Sequence, residues 1–94
     1  MKALSRIRQK ILDRDYFLSS HAEEEMAEDG LERTDLENAI LNGTIDKKLT
    51  RDIRGTRYRI AGPATDGRSV RVVCRFMELG GLVIITVYAV RGRI

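Results

Sequence analysis

Five arginines, Arg54, Arg57, Arg59, Arg71 and Arg75, fall in one stretch of the chain, and the single histidine, His21, lies well before them. A guanidinium is planar and permanently charged, so it can grip a phosphate with two parallel N–H bonds. An imidazole can act as acid or base near neutral pH. Tyr58 and Tyr88 could stack on a base or donate a proton. Metal-free RNA cleavage needs a base for the ribose 2′-hydroxyl, an acid for the leaving 5′-oxygen and cations around the phosphorane. His21, Arg57, Arg75 and Tyr88 are the candidates for those roles, and Arg54, Arg57, Arg59, Arg71 and Arg75 for phosphate binding. Each has a plainer alternative. His21 can donate a ring N–H to a backbone carbonyl and lock its helix to a sheet. Tyr58 sits where a strand would face the core, and Tyr88 is balanced between packing and a site role. His21 and Glu25 share one helix face, but one Cys and one His are too few for a zinc site, and no metal or cofactor is expected.

These residues need elements to position them. The chain has 94 residues, 43% hydrophobic and 33% charged, which fits one globular domain over residues 1–94. The longest apolar run, Leu82 to Val90, is too short to span a bilayer as a helix. The charged N-terminus lacks the apolar stretch of a signal peptide, and Cys74 stands alone, so a cytoplasmic protein is expected. Charge divides sharply. Residues 1–44 carry six Lys/Arg and ten Asp/Glu, net −4, and residues 45–94 carry eleven and four, net +7. Such a split favours a surface for a polyanion or an acidic partner.

Leu4, Ile7, Ile11 and Leu12 form one stripe of an amphipathic helix over residues 4–12. Tyr16 to Leu18 reads as a short apolar connector. Ser20 with Glu23, and Thr34 with Glu37, have the spacing of capping boxes, and Gly30 and Gly43 end the two helices that follow. After Gly43 the period changes to two. Ile45, Lys47 and Leu49 alternate with polar residues as an edge strand would, and Tyr58–Ile60 and Val70–Phe76 follow. Leu82 to Val90 is apolar on both faces and is expected inside the sheet. The fold class is therefore α+β, with two to three N-terminal helices followed by a four-stranded antiparallel meander.

Register decides where the arginines point. A three-residue loop, Thr65-Asp66-Gly67 with Gly67 at positive φ, keeps Tyr58, Ile60, Val72 and Cys74 on one face. Arg57 then opposes Arg75, and Arg59 lies diagonal to Arg71 and Arg75, all on the other face. Like charges opposed across strands repel, so this group needs solvent, carboxylates such as Asp52, or an anion.

In order and spacing the chain resembles the domain of unknown function 4258 family over roughly residues 16 to 90. The matching residues are His21, Ala22, Met26, Gly30 and Leu31; Asp35, Ala39, Ile40 and Gly43; Arg54, Gly55, Arg57, Tyr58, Ile60 and Gly62; Asp66, Gly67 and Arg68; Val72, Val73 and Arg75; and Val83 through Tyr88. The resemblance implies a domain similar to the RelE/ParE-type and MqsR-type toxins of bacterial toxin–antitoxin systems. It implies a small metal-independent endoribonuclease acting on mRNA. Its partners would be RNA and a zinc-finger (MqsA/YgiT-type) or helix-turn-helix antitoxin. The alternative is a non-catalytic RNA- or protein-binding module of the same fold, and a homodimer mate or antitoxin could cover the strand at 82–90. Many relatives carry arginines on the histidine helix where this chain has Glu25 and Asp29. That exchange implies negative charge in the path of RNA, or a helix turned toward a partner.

Overall fold

The computed structural model describes residues 2–91. Three helices, α1 (Lys2–Leu12), α2 (Ser20–Asp29) and α3 (Arg33–Asn42), lie against one sheet. Its strands are β1 (Tyr16–Leu18), β2 (Thr44–Leu49), β3 (Arg57–Pro63), β4 (Ser69–Phe76) and β5 (Leu82–Ala89), in the order β1-β5-β4-β3-β2. The class is α+β as expected, but the sheet is five-stranded and mixed. Residues Tyr16 to Leu18 are not a connector. They pair in parallel with Leu82 to Ile84, with Tyr16 and Leu18 partly buried and Phe17 exposed. Three residues are too few for alternation to register in a sequence.

The core lies between the helices and one face of the sheet. Ile7 and Ile11 of α1, Ala22 and Met26 of α2, and Leu36, Ala39 and Ile40 of α3 meet Ile60, Val70, Val72, Cys74, Ile84 and Val87. These spacings, three or four residues in helices and two in β4, put each set on a single face; in β5 an extra residue separates Ile84 from Val87. The backbone of α3 rests directly on β3. A Cβ on Gly62 would lie 2.0 Å from the Ala39 carbonyl oxygen, so only glycine fits there.

The helix ends are tied by side chains from elsewhere in the chain. Ser19, rather than Ser20, caps α2: its hydroxyl accepts from the Ala22 N–H at 3.0 Å and donates to the Ile85 carbonyl at 2.9 Å. For α3 the cap lies at Glu32, whose N–H donates to the Asp35 carboxylate at 2.8 Å. Glu37 is instead the acceptor of the Tyr16 hydroxyl, which ties β1 to α3. Asp35 is buried and also accepts from the Thr65 N–H at 2.9 Å and hydroxyl at 2.6 Å, locking the β3–β4 hairpin to α3. Those bonds, the Thr65 hydroxyl's first, hold its carboxyl below the usual range. At the C-termini, Arg68 donates to the Asp29 and Gly30 carbonyls of α2, and Arg8 to the Ile40 and Gly43 carbonyls of α3. Among the described residues no helix is long and apolar enough to cross a membrane.

Candidate nucleic-acid interface

The helices cover one face of the sheet, and the arginines stand on the other. Arg57 pairs with Arg75, Tyr58 with Cys74 and Ile60 with Val72. Gly67 has φ 90° in the turn, as the three-residue loop requires. Partners in an antiparallel pair share a face, so Arg57, Arg59, Arg71 and Arg75 point away from the buried Ile60, Val72 and Cys74. Tyr58 lies on the core side, edge-on to Phe76 with ring centroids 6.1 Å apart.

Two β-bulges decide what else reaches this face. In β5 the pairing shifts by one residue: Cys74 opposes Ile84, while Val73 opposes Thr86. Leu82 and Ile84 are buried before the bulge and Val87 after it. Without the extra residue, Tyr88 would follow Leu82 and Ile84 into the core. With it, Tyr88 stands opposite Arg71 on the arginine face. The second bulge lies in β2, where Ile45 opposes Ile60 but Lys47 opposes Arg59. It aims the Asp46 carboxylate at Arg59 and turns Lys47 and Leu49 outward, so Ile45, Lys47 and Leu49 do not share a face as simple alternation implies.

Much of the arginine charge is met within the chain. Asp46 accepts Arg59 Nε at 2.8 Å and Nη2 at 3.2 Å, and lies 3.4 Å from Arg71 Nε. The Arg59 hydrogen bond, chiefly, holds the Asp46 carboxyl below its usual range against partial desolvation. Arg59 is held in its charged form by Asp46 first, with the Tyr88 hydroxyl adding to the effect. Asp52 takes the Arg54 N–H at 2.8 Å and Arg57 Nε at 2.5 Å, and both bonds lower its pKa, the backbone one first. Arg71 also reaches the Ser69 hydroxyl at 2.9 Å. Arg75 differs. Among the described residues it has no carboxylate partner, and its Nε is buried without a hydrogen bond. Arg54 is exposed in the β2–β3 loop and borders the same depression as Arg75.

The four candidates for catalysis do not converge. Arg57 and Arg75 are opposed, but Tyr88 lies opposite Arg71, four residues or about 13 Å along the sheet from Arg75. His21 lies on α2 and is 63% exposed, with Nε2 at 3.4 Å from Glu25. Among the described residues it makes no hydrogen bond to a backbone carbonyl, so His21 does not form the expected lock to the sheet. That task falls to its neighbours. β1 covers β5 only as far as Ile84; beyond it α2 runs along the strand edge. Glu25 accepts the Val87 N–H at 3.0 Å, and Asp29 the Ala89 N–H at 2.9 Å. The two carboxylates at i and i+4 therefore replace a neighbouring strand. They are not aimed at a passing polyanion. Their helical spacing matched an N–H repeat on a strand distant in the chain, which no local pattern displays.

Among the described residues no three His, Cys, Asp or Glu side chains gather to hold a metal ion. Cys74 is buried, and burial pushes its thiol up to about 12, which leaves it unreactive at neutral pH.

Fold and face together define a two-layer α+β domain with one helix-covered and one open, arginine-rich sheet surface. The family model described as Domain of unknown function (DUF4258) matches residues 18–89, and the chain belongs to that family. No curated protein and no solved structure gives a significant match.

Proposed function

We propose that this protein binds single-stranded RNA through the open face of its sheet. The observation that carries the reading is the set Arg57, Arg59, Arg71 and Arg75 on one uncovered face, with Tyr88 delivered beside it by a bulge. Cations that track a phosphate backbone beside an aromatic ring suit single strands. Asp46 and Asp52 reduce the local charge but leave the arginines and Lys47 in excess. A role on RNA accords with a cytoplasmic location. The test is fluorescence anisotropy with an RNA oligonucleotide over a salt series. Affinity should fall as salt rises, and Arg59→Gln or Arg71→Gln should lower the slope by about 0.7 per lost phosphate contact. A folded protein that binds no RNA at low salt overturns the reading.

One observation favours a second, narrower reading, a RelE/ParE-like endoribonuclease toxin held by a zinc-finger or helix-turn-helix antitoxin. The Tyr88 hydroxyl stands beside Arg59 and opposite Arg71, a proton donor next to two phosphate-binding groups. In that reading the arginines stabilise the phosphorane, Tyr88 protonates the leaving oxygen, and His21 has no part. Expression should arrest growth and Tyr88→Phe should relieve it; intact RNA and healthy growth at high soluble expression count against it. A second copy or an antitoxin covering the exposed Phe17 and Leu49 would complete the picture, and size-exclusion mass tests the dimer.

A further inference from the structure

At the end of the arginine face, between the β2–β3 loop and the end of β4, lies a depression of about 450 Å³. Arg54 and Gly55 form one wall, Arg75 and Met77 the other, with Glu78 also on its lining. Arg75 is half-buried, faces Arg57 across the strands, and has a buried Nε with no acceptor. Arg57 has Asp52 as countercharge; Arg75 has no carboxylate among the described residues. A partly desolvated cation beside another cation is costly unless an anion meets it. Gly55 has φ 121°, a conformation that favours glycine, and its loop lies beside the Arg75 stem: a Cβ there would be in ordinary contact, 3.8 Å from Cδ. The second guanidinium bordering the space, Arg54, has its backbone N–H fixed by Asp52.

We infer that this depression is a phosphate site, with Arg75 and Arg54 as its two cationic walls and a phosphodiester as the preferred ligand. A seated phosphate supplies the countercharge that Arg75 lacks, through the part of its guanidinium that borders the depression. Glu78 sets the ligand's charge. Its carboxylate repels the double charge of a phosphomonoester or inorganic phosphate more than the single charge of a diester. The inference rests on the RNA reading for its choice of diester, but not for the anion site itself.

The experiment follows the Arg side-chain Nε–H resonances by NMR during titration with a short RNA oligonucleotide, and separately with inorganic phosphate. RNA should shift the Arg75 signal, and Arg54→Gln or Arg75→Lys should weaken RNA binding about tenfold. Arg54 is exposed, so its variant probes the site without burdening the core. Glu78→Gln should strengthen inorganic phosphate binding relative to RNA. Suppose RNA binds with a salt dependence carried by Arg59 and Arg71, while Arg75 does not shift and both site variants are neutral. The phosphate site is then overturned and the RNA reading stands. Inorganic phosphate shifting Arg75 with no RNA binding at all keeps an anion site and overturns both the diester preference and the RNA reading. No shift with either ligand overturns the site.

Discussion

In the RNA-binding reading, Asp46 occupies the place a phosphate would take. It holds Arg59 through two bonds and Arg71 through a third contact, so an incoming backbone must compete with it. Asp46→Asn removes that competitor while keeping shape. Affinity for RNA should rise about two- to fivefold, the scale of one exposed ion pair, with a steeper salt dependence. Unchanged affinity would mean RNA passes elsewhere. Asp35 illustrates the opposite use of a carboxylate. Its three donors, on Glu32 and Thr65, are structural, and Asp35→Asn should cost about 1–3 kcal/mol in urea unfolding. The pH dependence has a definite sign. The folded pKa lies below the unfolded value of about 3.9, so the contribution is complete above that value. It is lost as pH falls through the folded pKa. Asp35→Asn should therefore lose less stability between about pH 5 and 2 than the parent, and Thr65→Val should move the parent's acid transition toward higher pH.

At the scale of elements, periodicity was informative wherever one face was apolar and the other polar. The helices at Ile7/Ile11 and Leu36/Ala39/Ile40, the pairing of β3 with β4, and the opposition of Arg57 and Arg75 all follow from it. It was silent in two situations. β1 is too short to show a period. β5 is apolar at nearly every position, so a one-residue bulge leaves no trace, yet that bulge chooses the face of Tyr88. In β2 the sequence even pointed the wrong way, because alternation places Leu49 with Ile45. The caps were misplaced by one or two residues because Ser19 and Ser20 compete for one role, as do Glu32 and Thr34. Two contacts between elements can be tested. Gly62→Ala forces a methyl into the Ala39 carbonyl and should destabilise by about 2–4 kcal/mol, read from denaturant midpoints. Glu25→Ala removes the acceptor of the Val87 N–H at the β5 edge. It should cost about 1–2 kcal/mol and speed amide exchange at Val87 and Ala89 while leaving the β3–β4 pair protected. Equal exchange in parent and variant would mean α2 does not guard that edge.

For the whole molecule, the charge asymmetry of the sequence becomes an asymmetry of layers. The acidic half of the chain builds the helices, where Glu25, Asp29 and Asp35 are spent on backbone N–H groups. The basic half builds most of the sheet, whose arginines keep an open face. This arrangement separates the binding surface from the histidine helix. Arginines stay charged throughout the accessible range, and Asp46 and Asp52 are held below the ordinary carboxylate range, so the face keeps one charge state between about pH 5.5 and 8. RNA phosphodiesters also do not titrate there. The affinity measured at constant ionic strength should therefore be flat across that window. Any RNA cleavage that depended on His21 would instead vanish in His21→Ala. A flat profile unchanged by His21→Ala leaves the arginine face as the functional surface. Cleavage that is lost with His21 would bring the histidine helix into the mechanism, with α2 moving from the β5 edge toward bound RNA.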